Sequence, residues 1–249
     1  MKSFLVPLTT AIRFLTLIPL SWHVRDDEKY FNKSLYYFSA VGLLIGSVNY
    51  VLAIILSAFL PTQVAAVVML FSLAAISGCL HLDGVADSAD GLLSSRPKEK
   101  ALAIMKDSRT GAMGVVAIVF ILLGKYAVLS SMAREIFCLS VFFMPLVGRC
   151  TIVFVMAIQQ YARKEGGLAQ LFYSGNSRKP AIMSLFVLLI VLVLFASEVL
   201  LILTVTLSLT IVFFTKWCNA KLGGATGDTL GASCEIAELV TALSFATLF

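Results

Sequence analysis

The chain reads as an all-α, polytopic integral membrane protein. It has room for about six to eight transmembrane or re-entrant helices, with the active site at the cytoplasmic face. Three observations lead there. Hydrophobic residues make up 59% of the 249 positions and charged residues only 13%, whereas a soluble domain is nearer half apolar and a quarter charged. The apolar residues come in runs of span length, separated by short polar segments. Nearly all Lys and Arg of those segments fall on alternate connections, hence on one side of the bilayer, and the positive-inside rule makes that side cytoplasmic.

A single transmembrane domain, 1–249, accounts for the whole length. The net charge of +5 does not point to nucleic acid, because the basic residues sit mostly in short loops, where topology uses them. The five cysteines (Cys79, Cys138, Cys150, Cys218 and Cys234) are scattered, with no CxxC or Cys/His cluster, so neither a disulfide framework nor a zinc site is expected. Cys150 and Cys218 read as packing residues. Lys2 to Leu20 resembles a secretion signal only superficially, since Pro7 and Arg13 interrupt it and no small-residue cleavage site follows.

Residues 3–20 are apolar but broken by Pro7, Arg13 and Pro19, which predicts an interfacial or re-entrant helix. Arg13 is either a snorkelling anchor or a phosphate ligand. Ser21 to Lys33 is polar. Spans are expected near 36–60 and 64–80, joined by the turn Pro61-Thr62-Gln63. The first carries Gly42-Leu43-Leu44-Ile45-Gly46, a spacing that permits close helix contact. After the polar loop Ser94 to Gly114 come spans near 115–132 and 136–158, parted by Arg134-Glu135. Lys125 and Arg149 lie inside them. A cation at that depth is costly and faces a polar cavity or an anion. A functional cavity is the favoured expectation for both, against snorkelling or a structural ion pair. Gln159 to Lys179 is a second polar loop, with Arg163, Lys164 and Gly166-Gly167. Pro180 to Phe214 is too long for one span and holds Ser197-Glu198 near its middle, which predicts a hairpin of 180–197 and 199–214. Thr215 to Ser233 is expected as a third polar loop. A last apolar segment, 234–249, carries Glu235 and Glu238 in its first turns.

The chemistry concentrates in His81-Leu82-Asp83-Gly84-Val85-Ala86-Asp87-Ser88-Ala89-Asp90-Gly91, which holds three carboxylates and no Lys or Arg. On a helix, Asp83, Asp87 and Asp90 fall within roughly 60° of one another. Like charges on one face repel, and more so where water is scarce. A divalent cation relieves this, and Mg²⁺ prefers carboxylate oxygens. The rival readings are a solvated helix end and a transporter's ion site. One or two Mg²⁺ would neutralise phosphate oxygens and stabilise attacking and leaving oxygens in phosphoryl transfer. Asp107-Ser108-Arg109 adds an acid and a guanidinium suited to bidentate phosphate binding. Gly223-Gly224-Ala225-Thr226-Gly227-Asp228-Thr229-Leu230-Gly231 is rich in glycine and hydroxyls, suited to backbone contacts with phosphate. It lacks the Gly-Lys-Ser/Thr ending of a Walker A loop.

These residues carry a resemblance. His81 to Gly91 closely resembles the signature of the cobalamin synthases, the adenosylcobinamide-GDP ribazoletransferases. Met105-Lys106-Asp107-Ser108-Arg109-Thr110-Gly111-Ala112-Met113-Gly114 is similar to the second motif of that family, and Gly223 to Ala232 to the third. Arg13-Phe14-Leu15-Thr16-Leu17-Ile18-Pro19 is similar to its opening. The resemblance runs the length of the chain. It implies transfer of cobinamide phosphate from adenosylcobinamide-GDP to α-ribazole or its 5′-phosphate, with attack by the ribazole 3′-hydroxyl and departure of GMP. It implies Mg²⁺ held by Asp83, Asp87 and Asp90, catalytic roles for Asp107 and Arg109 beside them, and substrate contacts from His81, Lys106, Arg149, Thr226, Asp228 and Thr229. It also implies a bacterial inner-membrane location among lipid, and leaves room for a homo-oligomer or a complex with other cobalamin-assembly enzymes. Two rivals stand beside it. A CDP-alcohol phosphotransferase would use the same metal, but its Asp-Gly-x-x-Ala-Arg pattern fails where Asp87-Ser88 stands. An ion-coupled transporter would place acids near the midplane, often with inverted repeats, and no repeat is visible.

Overall fold

The computed structural model describes residues 2–20, 27–163 and 166–248. Among them the elements are α1 (Lys2–Leu15), α2 (Phe31–Ser34), α3 (Phe38–Phe59), α4 (Thr62–Ile76), α5 (Leu80–Leu92), α6 (Lys98–Ile104), α7 (Ala112–Ser130), α8 (Arg134–Ile158), α9 (Ala169–Phe172), α10 (Arg178–Phe195), α11 (Leu200–Leu222) and α12 (Gly227–Phe245). The described residues form no strand, only an isolated bridge between Tyr161 and Ala225. Five helices are long and apolar enough to cross a membrane, or six if α4 and α5 together count as one broken span.

Helix α8 is the hub. Of its apolar stretch, 78% is buried, against 17% for α7 and 22% for both α10 and α11. Those outer helices turn Phe120, Phe186 and Phe213 outward, as lipid-facing helices do because lipid solvates apolar side chains as well as a protein core does. Helix α3 lies against α8 through its two glycines. A Cβ on Gly42 would stand 2.8 Å from the Leu146 Cα, and one on Gly46 would collide with the Phe142 carbonyl. The small-residue spacing read in the sequence is thus a helix contact. The 180–214 region is the expected hairpin, broken over Ala196 to Val199.

Three expectations need correction. The span expected near 64–80 stops short of its end. Helix α4 stops at Ile76, Gly78 and Cys79 both take φ of 59°, and α5 leaves at 88° to α4. The left-handed pair ends one helix and aims the next. The third polar loop is also shorter than expected, since α11 runs to Leu222 and α12 begins at Gly227. Finally, Lys125 and Arg149 do not open onto a polar cavity. Lys125 Nζ donates to Glu235 Oε2 and Glu238 Oε2, each at 2.6 Å, and Arg149 Nη1 donates to Glu238 Oε1 at 2.5 Å. All four side chains are buried. Two cations and two carboxylates cancel, which is how charge survives inside a membrane protein.

Candidate active site

The polar motifs meet where α5 passes α12. That contact is made of glycine. A Cβ on Gly84 would lie 2.6 Å from the Asp228 carbonyl oxygen and 3.1 Å from the Gly231 Cα, and one on Gly231 would lie 3.3 Å from the His81 Cα. The missing side chains let the two backbones touch, and this brings Asp228 beside the acids of α5.

The start of α12 is fixed locally. Thr226 Oγ1 accepts from the Thr229 N–H at 3.2 Å, and Thr229 Oγ1 accepts from the Thr226 N–H at 2.8 Å, a reciprocal capping box. Thr226 and Thr229 were expected as substrate contacts. Both are fully buried and serve the helix end instead. Gly223 and Gly224, at φ of 77° and 152°, turn the chain into this cap. Ala225 then pairs with the strap after α8: its N–H donates to Gln160 O at 2.9 Å, and its carbonyl accepts from the Ala162 N–H at 2.8 Å. That pairing delivers Arg163, whose Nη2 lies 2.7 Å from Asp228 Oδ2. Burial pushes the Asp228 carboxyl above its ordinary range, and the Arg163 guanidinium pulls it part of the way back.

The three acids of α5 divide. Asp83 is exposed and Asp87 half-buried, and Asp87 sits in the field of Asp228, Asp83 and Asp90. Asp90 is otherwise engaged. Its Oδ2 accepts from the Gly111 N–H at 2.6 Å and its Oδ1 from the Gly114 N–H at 2.9 Å. It clamps the free N–H groups that open α7. Among the described residues no three His, Cys, Asp or Glu side chains stand ready as a metal cage. That holds for the expected set of Asp83, Asp87 and Asp90, whose third member accepts from the start of α7, and equally for Asp83, Asp87 and Asp228.

The second motif is tied to the first by that clamp, but its side chains point away. Lys106 to Thr110 are exposed. Arg109 grips its neighbour Asp107, Nε to Oδ1 at 3.1 Å and Nη2 to Oδ2 at 2.7 Å. These hydrogen bonds hold Asp107 down at about 2. Arg149, expected at a substrate, is buried with Glu238, remote from solvent.

A cavity of about 200 Å³ opens beside the acids. Asp83, Asp228 and Arg163 are charged groups of its lining, and Phe14, Ile152, Met156, Phe172 and Leu230 are apolar ones. His81 is also in the wall, 3% exposed, and its Nε2 has no hydrogen-bond partner. Arg163 Nε is likewise without one. Sequence reasoning counted Arg163 only as loop charge, since nothing local marks a pairing across 65 residues.

The acids fit Mg²⁺. Asp83, Asp87 and Asp228 offer only hard oxygen donors, and Mg²⁺ is commonly held by one or two carboxylates, with waters and phosphate oxygens completing its shell. Of the three, Asp83 and Asp228 line the cavity, and Asp87 stands in their field.

The family model for cobalamin-5-phosphate synthase matches residues 7–246. A protein of Clostridium novyi (strain NT) named adenosylcobinamide-GDP ribazoletransferase is 38% identical, over 94% of this chain and 93% of its own length. One of the same name from Clostridium botulinum (strain Loch Maree / Type A3) is 35% identical over 96% of each. Another, from Caldanaerobacter subterraneus subsp. tengcongensis, is 32% identical over 97% of this chain and 98% of its own. No solved structure matches. With its first and third motifs meeting at one cavity and its likeness running end to end, the chain belongs to the cobalamin-5-phosphate synthase family.

Proposed function

We propose that this protein transfers cobinamide phosphate from adenosylcobinamide-GDP to α-ribazole or its 5′-phosphate, releasing GMP. The observation that carries this is the meeting of Asp83 and Asp228, from motifs far apart in the chain, with Arg163 at one cavity. Two acids and an arginine facing one space can hold a diphosphate and an incoming hydroxyl together. Asp83, Asp87 and Asp228 would hold Mg²⁺. Bound there, Mg²⁺ would neutralise phosphate oxygens and help the GMP oxygen leave. Arg163 positions Asp228 and presents its free Nε to a phosphate oxygen. The Asp90 clamp and the α5–α12 glycine contact keep the acids in register. The ribazole 3′-hydroxyl attacks the phosphorus attached to cobinamide, its proton passes to a nearby carboxylate, and the bond to GMP breaks.

The location follows from charge. The α5 acids, the strap with Arg163 and the α11–α12 turn meet at one site, and the alternation of spans puts nearly all loop Lys and Arg on the same side. We place that end in the cytoplasm, at a bacterial inner membrane. The test is turnover of the two substrates by protein in nanodiscs, with and without Mg²⁺, beside a CDP-linked donor as control. Product from cobinamide-GDP only when Mg²⁺ is present supports the reading. Turnover of the CDP donor alone, or full activity in chelator, sinks it.

A further inference from the structure

We infer that the cavity between α1, α5, α8, α9 and α12 takes the flat aromatic base of the acceptor nucleoside, placing its ribose at the acids. The inference rests on the proposed reaction and adds which substrate sits where. Size is the first argument. About 200 Å³ lies below the volume of a drug-sized site. It suits one bicyclic base and excludes a corrin ring.

The second argument is chemical. The donor also carries a bicyclic base, guanine, whose edge has an amino group, a carbonyl and a ring N–H. Each of these, buried unpaired, opposes binding. Phe14, Ile152, Met156, Phe172 and Leu230 offer them no hydrogen-bonding side chain, and the Tyr161 hydroxyl is already donated to Gly166 O. An alkylated benzimidazole joined to ribose through one nitrogen has a single polar edge atom, its other ring nitrogen. Two orphaned buried groups border the cavity, His81 Nε2 and Arg163 Nε, and Arg163 is already engaged with Asp228 through its Nη2, which leaves His81 for the base. One bare acceptor meets one unpartnered imidazole nitrogen, which donates when it carries the proton.

The third argument is rigidity. Phe14 and Phe172 meet edge-on with centroids 4.8 Å apart, and both contact Phe38 and Phe31. A wall made of packed rings is preformed for a flat ligand. Asp83, Asp228 and Arg163 line the same cavity and are less buried than Ile152, Met156, Phe172 and Leu230, so a base held among the buried residues leaves its sugar hydroxyls among the groups that act on them.

The experiment reshapes the cavity. Full-length protein in nanodiscs is given acceptor ribosides with an unsubstituted, a dimethylated and a ring-extended benzimidazole. Met156→Ala should favour the extended base over the dimethylated one, and Met156→Phe the unsubstituted one, each shifting the kcat/KM ratio by about tenfold or more, the usual worth of a methyl-sized change in an apolar pocket. The KM for the donor should stay put. A misfolded variant lowers every acceptor alike and cannot create such a switch. Unchanged ratios, or a change confined to the donor KM, overturn the assignment. Equilibrium binding of labelled ribazole, without donor or metal, separates the two readings. Binding that Ile152→Trp abolishes supports the cavity even if transfer fails, and no binding to the unaltered protein overturns it even if transfer succeeds.

Discussion

Asp90→Asn tests whether this acid holds metal or holds a helix. Its carboxylate takes two backbone N–H groups at the start of α7, from Gly111 at 2.6 Å and Gly114 at 2.9 Å. An asparagine of the same shape keeps one carbonyl acceptor and turns an amide N–H₂ toward the other donor. One charge-assisted bond is lost, about 1.5–3 kcal/mol. The negative charge at the helix N-terminus goes too, another ~0.3–1 kcal/mol. The sum is about 2–4 kcal/mol, which lowers the melting temperature by roughly 4–16 °C for a chain of this size. The assay pairs thermal unfolding in nanodiscs with an Mg²⁺ titration of turnover, and runs Asp83→Asn alongside. Asp83→Asn should raise the Mg²⁺ needed for half-maximal rate while leaving unfolding nearly unchanged. Asp90→Asn should do the reverse. An unshifted melting temperature for Asp90→Asn, with an Mg²⁺ requirement raised as far as in Asp83→Asn, would show that the clamp is incidental.

Four further outcomes are expected. Gly84→Ala pushes a methyl to 2.6 Å from the Asp228 carbonyl, so α5 and α12 must part. Turnover should fall at least tenfold, with a loss of about 1–3 kcal/mol in stability from overpacking, read by unfolding and kcat/KM together. Lys125→Met leaves Glu235 without its cation while Glu238 keeps Arg149, and should cost about 3–5 kcal/mol in unfolding titrations, with Glu235→Gln on the same chain recovering part of it. Single cysteines at Ser95 and Ser174, in an otherwise cysteine-free protein, should resist an impermeant thiol reagent in intact cells and react once the membrane is opened. Labelling from outside breaks the proposed topology. The Asp107 carboxyl, held at about 2 by Arg109, titrates below its ordinary range. What its fork with Arg109 contributes is therefore present above the ordinary carboxylate pKa and lost only as pH falls toward 2. A pH–rate profile between about pH 6 and 9 should show no inflection that Asp107→Asn removes.

The sequence made the membrane architecture legible because span length and composition are local properties. The hairpin at Ser197-Glu198 and the glycine contact of α3 followed from local patterns too. The three motifs were visible as clusters of acids, glycines and hydroxyls. Which of those groups face a ligand was not visible, because that depends on what lies opposite. Helical periodicity put Asp83, Asp87 and Asp90 on one face, and they do share α5. It could not show that the open end of α7 claims Asp90, nor that Asp228 would stand beside the other two. Thr226 and Thr229 look the same in sequence whether they bind phosphate or cap a helix. The spacing of three is the capping signature, and that signal was there to be read. The buried tetrad was harder. Lys125 and Glu238 lie 113 residues apart, and Glu235 and Glu238 look like the polar start of a span until the helix is known to begin at Gly227.

That tetrad bears on the active site through α12. Asp228 and Glu235 are seven residues apart on that helix, so they point nearly the same way, two turns and about 10 Å from each other. Lys125 from α7 holds Glu235, and Arg149 from α8 holds Glu238. Rotating α12 by one residue's worth, about 100°, would tear those carboxylates from their cations inside the membrane. The same rotation would swing Asp228 out of line with Asp83. The ion pairs therefore penalise every rotation of α12 except the one that presents Asp228, and the glycine contact at Gly84 and Gly231 fixes its depth. A merely hydrophobic helix in lipid lacks such a lock, because apolar side chains pack against lipid and protein with similar energy. Charges buried beneath the site thus set the aim of a carboxylate two turns above them.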